Sequence, residues 1–185
     1  NVFSKILISN NKTIDLCNDK IKLKKYLKKY FNFPDNKNNK IIIKQRIGRG
    51  SKNQLVLNKL SHKLYKNFEK DKFFFIEDYI QGKEYTVDCI YNFKSELLYA
   101  LVRERVIKSN LSIVGRIVKN NKILKFIKEL STRLNFIGNV NIQVIVNNQG
   151  KIFLTDINPR ISGSIIFSMK AGFNPFIYAK DILQD

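Results

Sequence analysis

Within Leu154-Thr155-Asp156-Ile157-Asn158-Pro159-Arg160, a carboxylate and an amide stand two residues apart, followed by a proline and an arginine. Successive side chains of a strand point to opposite faces. Asp156 and Asn158 therefore share one face, and Ile157 turns the other way into a core. Pro159 has no N–H to give to a ladder, so pairing stops there, and Arg160 sits just past the strand end. Two oxygen ligands on a rigid strand, beside a guanidinium, can hold a hard cation against a phosphate. The same string also admits a plainer use, since Asn-Pro is a common turn dipeptide and an acid near a strand end is often only solvated.

The preceding segment adds a third oxygen. Asn139 to Asn147 reads as a strand rich in Val and Ile, Asn148-Gln149-Gly150 as turn material, and Lys151 to Asn158 as the return strand. A two-residue loop at Asn148-Gln149 sets Gln143 opposite Leu154 and Asn141 opposite Asp156. Opposite residues of an antiparallel pair share a face, so Gln143 joins Asp156 and Asn158 there, with Gln143 and Asp156 as diagonal neighbours. A three-residue bulged loop would flip this parity. Magnesium takes few protein ligands and completes its shell with water and phosphate oxygens, so three such side chains suit a nucleotide-bound metal better than an all-protein cage.

Other segments carry complementary groups. Lys44 ends a strand of three isoleucines and enters Gly48-Arg49-Gly50-Ser51. There glycines let backbone N–H groups converge on phosphate oxygens while the lysine supplies a point charge. The loop lacks Walker A spacing, and a basic Gly turn between strands also serves as a plain hairpin. Glu77-Asp78-Tyr79-Ile80 follows the apolar run Phe73 to Ile76, and acids at the end of a buried strand are placed to accept from an adenine amino group or ribose hydroxyls. Glu84, two residues after Gly82, could do the latter. Arg103 and Arg105 share a strand face and could clamp a phosphate or carboxylate, or simply form an exposed basic face.

The elements that must position these groups follow from periodicity. Asn18 or Asp19 caps a predicted helix from Asp19 to Phe31, with Leu23, Tyr26, Leu27, Tyr30 and Phe31 on one face. Strands are predicted at Lys40–Lys44, Gln54–Leu57, Lys72–Ile80, Lys83–Tyr91 and Glu96–Ile107. Helices are predicted at Leu60–Lys70, Asn121–Asn135, Gly163–Ala171 and Pro175–Leu183, with Lys108–Arg116 as a polar loop. Hairpins dominate, so the expected class is α+β with a mainly antiparallel sheet.

The bulk numbers narrow the choices. The chain has 185 residues, 44% of them hydrophobic, so a folded core is expected. Beginning at Asn1, it reads as a piece of a longer chain. No apolar run reaches the roughly 20 residues that span a bilayer. With two cysteines, Cys17 and Cys89, and one histidine, His62, zinc sites and histidine triads are disfavoured. Reduced, buried cysteines and a cytoplasmic location are expected. The net charge of +19 admits a polyanionic partner, but the lysines are spread along the chain, which argues against a dedicated nucleic-acid or membrane face.

In order along the chain, the lysine and Gly loop, IEDYIQGKEYTVD, NVNIQ and DINPRISGS resemble the ATP-grasp superfamily, above all the ATP-binding domain of the carbamoyl-phosphate synthetase large chain and related carboxylate–amine ligases. The resemblance runs from about Asp19 to Asp185. It implies the ATP-grasp fold, with ATP between two α+β lobes: residues 1–39 an N-terminal strand remnant, helix and linker, 40–80 the small lobe, and 81–185 the large lobe with the metal site. It implies ATP and Mg²⁺ (or Mn²⁺) as cofactors, and a small carboxylate or bicarbonate plus an amine or ammonia as substrates. Carried across by motif, Lys44 contacts phosphate, with Gly50 and Ser51 in the loop beside it. Glu77 and Tyr79 sit at the adenine hinge, Tyr79 by its backbone, and Glu84 binds ribose. Gln143, Asp156 and Asn158 hold metal, Arg160 steadies the transferring phosphate, and Arg105 faces substrate.

Three departures stand out. The family usually has Glu where this chain has Asp156, a carboxylate one methylene shorter that suits one metal better than a bridged pair. The Asn110–Gly115 loop is a residue short and lacks a usual glycine. The family's preceding nucleotide-fold domain is missing, unless Asn1–Asn10 is its tail, and that partner domain of the same chain often shapes the acceptor site. The expected function is an ATP-dependent ligase module. The alternatives are a non-catalytic nucleotide-binding relic or regulatory module and, from another class, a basic nucleic-acid-binding protein.

Overall fold

The computed structural model describes residues 6–34, 40–48, 54–58, 71–108 and 112–184. Gly50, Ser51, His62 and the helix expected at Leu60–Lys70 lie outside the described residues. The architecture is α+β, with two antiparallel sheets. A three-stranded sheet has the order β2-β1-β3, built from β1 (Lys40–Gln45), β2 (Leu55–Asn58) and β3 (Phe74–Asp78). A five-stranded sheet has the order β6-β5-β4-β7-β8, built from β4 (Gly82–Tyr91), β5 (Leu97–Lys108), β6 (Ser112–Ile117), β7 (Gly138–Asn147) and β8 (Ile152–Asn158). The helices are α1 (Asn11–Asn18), α2 (Lys20–Leu27), α3 (Asn121–Ser131), α4 (Ile166–Lys170) and α5 (Pro175–Gln184).

Strand alternation divides the large sheet into two chemically different faces. One face carries Tyr85, Val87, Cys89 and Tyr91 from β4, with Val140, Ile142 and Val144 from β7. These are sealed by Cys17, Leu23 and Leu27 of α1 and α2 and by Ile123, Ile127 and Leu130 of α3. The α3 residues recur at helical spacing, and the Asn120 side chain accepts from the Ile123 N–H to start the helix. The opposite face carries Glu84, Thr86 and Asp88; Thr86 and Asp88 register against Arg103 and Leu101 on one side, and all three register against Ile145, Gln143 and Asn141 on the other. At its far end this face becomes apolar, where Ile90 packs with Phe173 and Ile182 and Tyr99 stacks on Phe173 at 5.1 Å. The nearer, polar end faces the small sheet.

Two sequence expectations are corrected in ways that matter for the site. The single helix expected from Asp19 has a second helix before it, and Asp19 is the boundary: its carboxylate accepts from the Ile21 and Lys22 N–H groups. The polar loop expected at Lys108–Arg116 contains strand β6, paired with β5. Its Gly115 sits in a close approach: a Cβ there would stand 3.3 Å from Arg103 and 3.4 Å from Phe167, both side-chain contacts. The helix expected at Gly163–Ala171 shortens to Ile166–Lys170. Both cysteines are free and buried. Among the described residues no helix is long and apolar enough to cross a membrane.

Candidate functional site

The hairpin β7–β8 reaches the expected shared face by an unexpected route. Asn147 N–H donates to the Lys151 carbonyl (3.0 Å) and Gly150 N–H to the Asn147 carbonyl (2.9 Å), so the turn contains three residues, not two. Gly150 takes the positive φ of 76° that such a turn requires. This alone would put Gln143 and Asp156 on opposite faces. A second irregularity reverses the flip: the register passes from Val144↔Leu154 to Gln143↔Asp156, leaving Thr155 as the extra residue of a bulge. The Thr155 hydroxyl donates to the Gln143 carbonyl at 3.0 Å. Gln143 therefore stands directly opposite Asp156, and Asn141 opposite Asn158. The expected diagonal is replaced by a closer, direct pairing.

These side chains line a cleft whose other wall comes from the small sheet and the start of α2. In the small sheet Ile42 pairs with Glu77, and Lys44 with Phe75, which puts Lys44 and Glu77 on one face. Their ion pair is short, 2.7 Å, and both groups are largely buried. Lys20, the first residue of α2, donates to the Gly48 carbonyl at 3.1 Å and places its ammonium 3.9 Å from Asp156 Oδ1. Asn158 Nδ2 donates to Asp156 Oδ2 at 3.0 Å, while its Oδ1 lies 3.5 Å from Arg160 Nη2. Cys17 lies beneath this cluster: burial, and then the nearby Asp156 charge, push its thiol up to about 12, so it is neutral and inert at ordinary pH.

Of the residues expected at a site, Lys44, Tyr79, Glu84, Arg105, Gln143, Asp156, Asn158 and Arg160 all line the cleft. Glu77 does not reach the lining; it backs Lys44, and Asp78 is the β3 acid at the cleft. The Tyr79 N–H is committed to the Lys40 carbonyl at 2.9 Å, which limits its backbone to offering the carbonyl oxygen. Gly50 and Ser51 lie outside the described residues. Arg105 Nη1 meets Glu84 Oε2 at 3.4 Å across β5 and β4. Arg103, its neighbour on the same face, is fully buried. It pairs with Asp88 at 3.3 Å, reaches Ser162 at 3.4 Å and lies over the Phe167 ring. Asp88 also accepts from Asn141 Nδ2 (3.0 Å) and Ser168 (2.5 Å).

The sequence reading missed Lys20, Asn141, Thr155 and Ser162–Ser164, all of which line the cleft. A signal for Lys20 was present. A lysine at the first position of a helix stands at the positive end of the macrodipole, where it costs helix stability, so it wants another reason to be there. As for the metal, no group of three or more His, Cys, Asp and Glu gathers among the described residues. One carboxylate flanked by two amides remains a suitable partial shell for a hard cation whose other ligands are phosphate oxygens and water.

A protein-family model described as ATP-grasp in the biosynthetic pathway with Ter operon matches residues 70–185. The chain belongs to the ATP-grasp family. This ATP-grasp chain is 30% identical over 121 residues to the carbamoyl phosphate synthase large chain of Clostridium botulinum, a match covering 60% of the chain and 11% of that relative. It thus spans only about a tenth of the length of the curated relatives it matches. The biotin carboxylase domain of Hydrogenobacter thermophilus 2-oxoglutarate carboxylase, solved with MgADP and bicarbonate, superposes with a TM-score of 0.77 at 13% identity, covering 96% of this chain and 48% of that one. N5-carboxyaminoimidazole synthetase from Staphylococcus aureus, in complex with ADP, gives 0.71 at 17% identity, over 88% and 50%. D-alanine–D-alanine ligase from Bacillus anthracis gives 0.69 at 16% identity, over 96% and 69%. At these identities the likeness speaks to fold, and it bears out the expected α+β ATP-grasp architecture.

Proposed function

We propose that this chain is the nucleotide-binding module of an ATP-dependent carboxylate–amine ligase of carbamoyl-phosphate-synthetase type, with residues 40–80 as the small lobe and 81–185 as the large lobe. The observation that carries the reading is the gathering of Gln143, Asp156 and Asn158 on one hairpin face, in a cleft shared with Lys20 and Lys44. The likeness to a domain solved with MgADP and bicarbonate supports the same assignment of cofactor and substrate class.

In this reading a carboxylate or bicarbonate oxygen attacks the γ-phosphorus of ATP. The bond from that phosphorus to the β–γ bridging oxygen breaks, and ADP leaves. The nitrogen of an amine or ammonia then attacks the acyl phosphate carbon and gives up a proton, and inorganic phosphate departs. The protein's work is placement and charge neutralisation. Lys44 and Lys20 balance phosphate charge from one wall, and Arg160 does so from the end of β8, where charge develops on the transferring group. Glu84 accepts from ribose hydroxyls, and the end of β3, around Glu77–Tyr79, borders the adenine. Arg105 receives the carboxylate. Gln143, Asp156 and Asn158 would hold Mg²⁺, which supplies Lewis-acid polarisation of phosphate oxygens when bound. Asn158 serves by turning its amide so that Oδ1 replaces Nδ2 beside Asp156.

The test uses the intact protein with whatever sequence flanks this chain. Release of ADP that depends on a small carboxylate, and its loss in Asn158→Asp and Arg160→Ala with folding preserved, is the expected result. Unchanged turnover in Arg160→Ala would eliminate its assigned role. A second reading, a nucleotide-binding regulatory module without catalysis, is favoured by the single, shortened carboxylate at Asp156. Carboxylate-dependent ADP release would remove it.

A further inference from the structure

An ion pair outside the cleft lining joins elements that carry the proposed ligands. Asp19 is nearly sealed from solvent, 4% exposed. One of its oxygens caps α2, accepting from Ile21 and Lys22 N–H at 3.1 Å each. The same carboxylate receives Arg46 in a two-pronged contact, from Nε at 3.0 Å and from Nη2 at 2.7 Å. The backbone closes the joint a second time, since Lys20 N–H donates to the Arg46 carbonyl at 3.2 Å. On its other side the Arg46 N–H donates to Phe73, just before β3, at 2.7 Å. Arg46 is therefore tied at once to the small sheet and to the first turn of a helix packed on the large one.

The position of this joint gives it a use. Lys20 follows Asp19 directly, and Lys44 precedes Arg46 by two residues on β1. Both residues line the cleft, Lys20 from the start of α2 and Lys44 from the small sheet. Nothing in either strand or helix alone fixes the spacing between these two cations. We infer that Asp19 and Arg46 are a positioning pair, which sets the separation of Lys20 and Lys44 for the phosphate chain of a nucleotide. This rests on the nucleotide reading above, and it assigns a role to two residues that lie outside the ligand shell. A rigid two-pronged guanidinium–carboxylate contact holds orientation in a way that a single ammonium contact does not.

The experiment is calorimetric titration of the wild-type chain, Asp19→Asn, Arg46→Ala, Arg46→Lys and the Asp19→Asn/Arg46→Ala double variant with MgADP, and with adenosine as a phosphate-free probe. Asparagine keeps the helix cap but not the charge, which separates capping from pairing. Lysine keeps the charge but not the fork, and it serves as the folded variant if Arg46→Ala unfolds. The expected result is a loss of about tenfold in MgADP affinity for each single variant, no further loss in the double variant, and unchanged adenosine binding. Variants that bind MgADP as tightly as wild type, or that lose MgADP and adenosine equally, overturn the pairing role while leaving the nucleotide site standing. A wild-type chain that binds no MgADP overturns the nucleotide reading and this inference together.

Discussion

Arg103 and Arg105 sit two residues apart on the same face of β5, and sequence gives them the same prospects. The fold separates them. Arg103 and its partner Asp88 are 0% and 3% exposed in their side chains, under Phe167 and tied to Ser162 and Ser168. Arg105 and Glu84 are 8% and 25% exposed and open on the cleft. The difference comes from what covers the sheet. The segment after Arg160 folds back as α4 and sets Phe167 and Ser168 on the first pair, whereas the second pair lines the cleft. A charge pair closed off from water is committed to structure, because removing one partner strands the other. A pair at a cleft edge can exchange partners when a ligand enters. The lesson is that sharing a strand face does not make two arginines equivalent; the cover over the sheet decides.

The largest expected effect breaks or confirms that contrast directly. Arg103→Met or Asp88→Ala should destabilise the fold by about 3–5 kcal/mol in urea unfolding, while Arg105→Met should cost about 1 kcal/mol or less. Equal losses would erase the distinction. Next, Arg160→Ala should lower kcat by roughly 10²–10³-fold while shifting stability within about 0.5 kcal/mol, since its side chain is exposed. Arg105→Ala should raise KM for the carboxylate substrate by about 10–100-fold, and steady-state kinetics at saturating ATP would read it. A smaller effect marks a helix that serves only the core: Asn120→Ala should cost about 1 kcal/mol through loss of the α3 cap, with nucleotide affinity unchanged.

The smallest prediction concerns acid. The hydrogen bonds from Arg46 hold the Asp19 carboxyl below its ordinary value of 3.8, with its backbone N–H bonds acting in the same direction. A lowered folded pKa means the unfolded chain takes up the proton first. The stabilisation is therefore complete above pH 3.8 and drains away as pH falls through the folded value. Arg46→Ala should flatten that part of the stability profile, and an unchanged slope would mean Asp19 is held by its helix alone.

Much of the fold was legible because periodicity and burial agree. Ile123, Ile127 and Leu130 were readable as a buried helical stripe, and the alternation in β4 and β7 matches the sheet found. That Asp156, Asn158 and Arg160 would line one cleft was legible because two-residue spacing survives any register. Gln143 was placed on the right face for an incomplete reason: a three-residue turn and the Thr155 bulge each reverse parity, and only together do they restore it. No local signal at Thr155 announces a bulge, since its hydroxyl bond to Gln143 depends on the paired strand. Strand β6 was hidden because its glycine and short alternation read as loop chemistry until Arg103 and Phe167 pack against it. The Asp19–Arg46 joint spans 27 positions, a separation no periodicity can reveal.

The central claim is that the oxygens of Gln143, Asp156 and Asn158 face the lysines of the opposite wall around a magnesium nucleotide. The most direct measurement is the thermal unfolding midpoint with ATP in the presence and absence of Mg²⁺, for wild type and Asp156→Ala. The account predicts a rise of several degrees with Mg-ATP that shrinks without the metal and is lost in Asp156→Ala. No rise with Mg-ATP, or a rise indifferent to both the metal and Asp156, would contradict it.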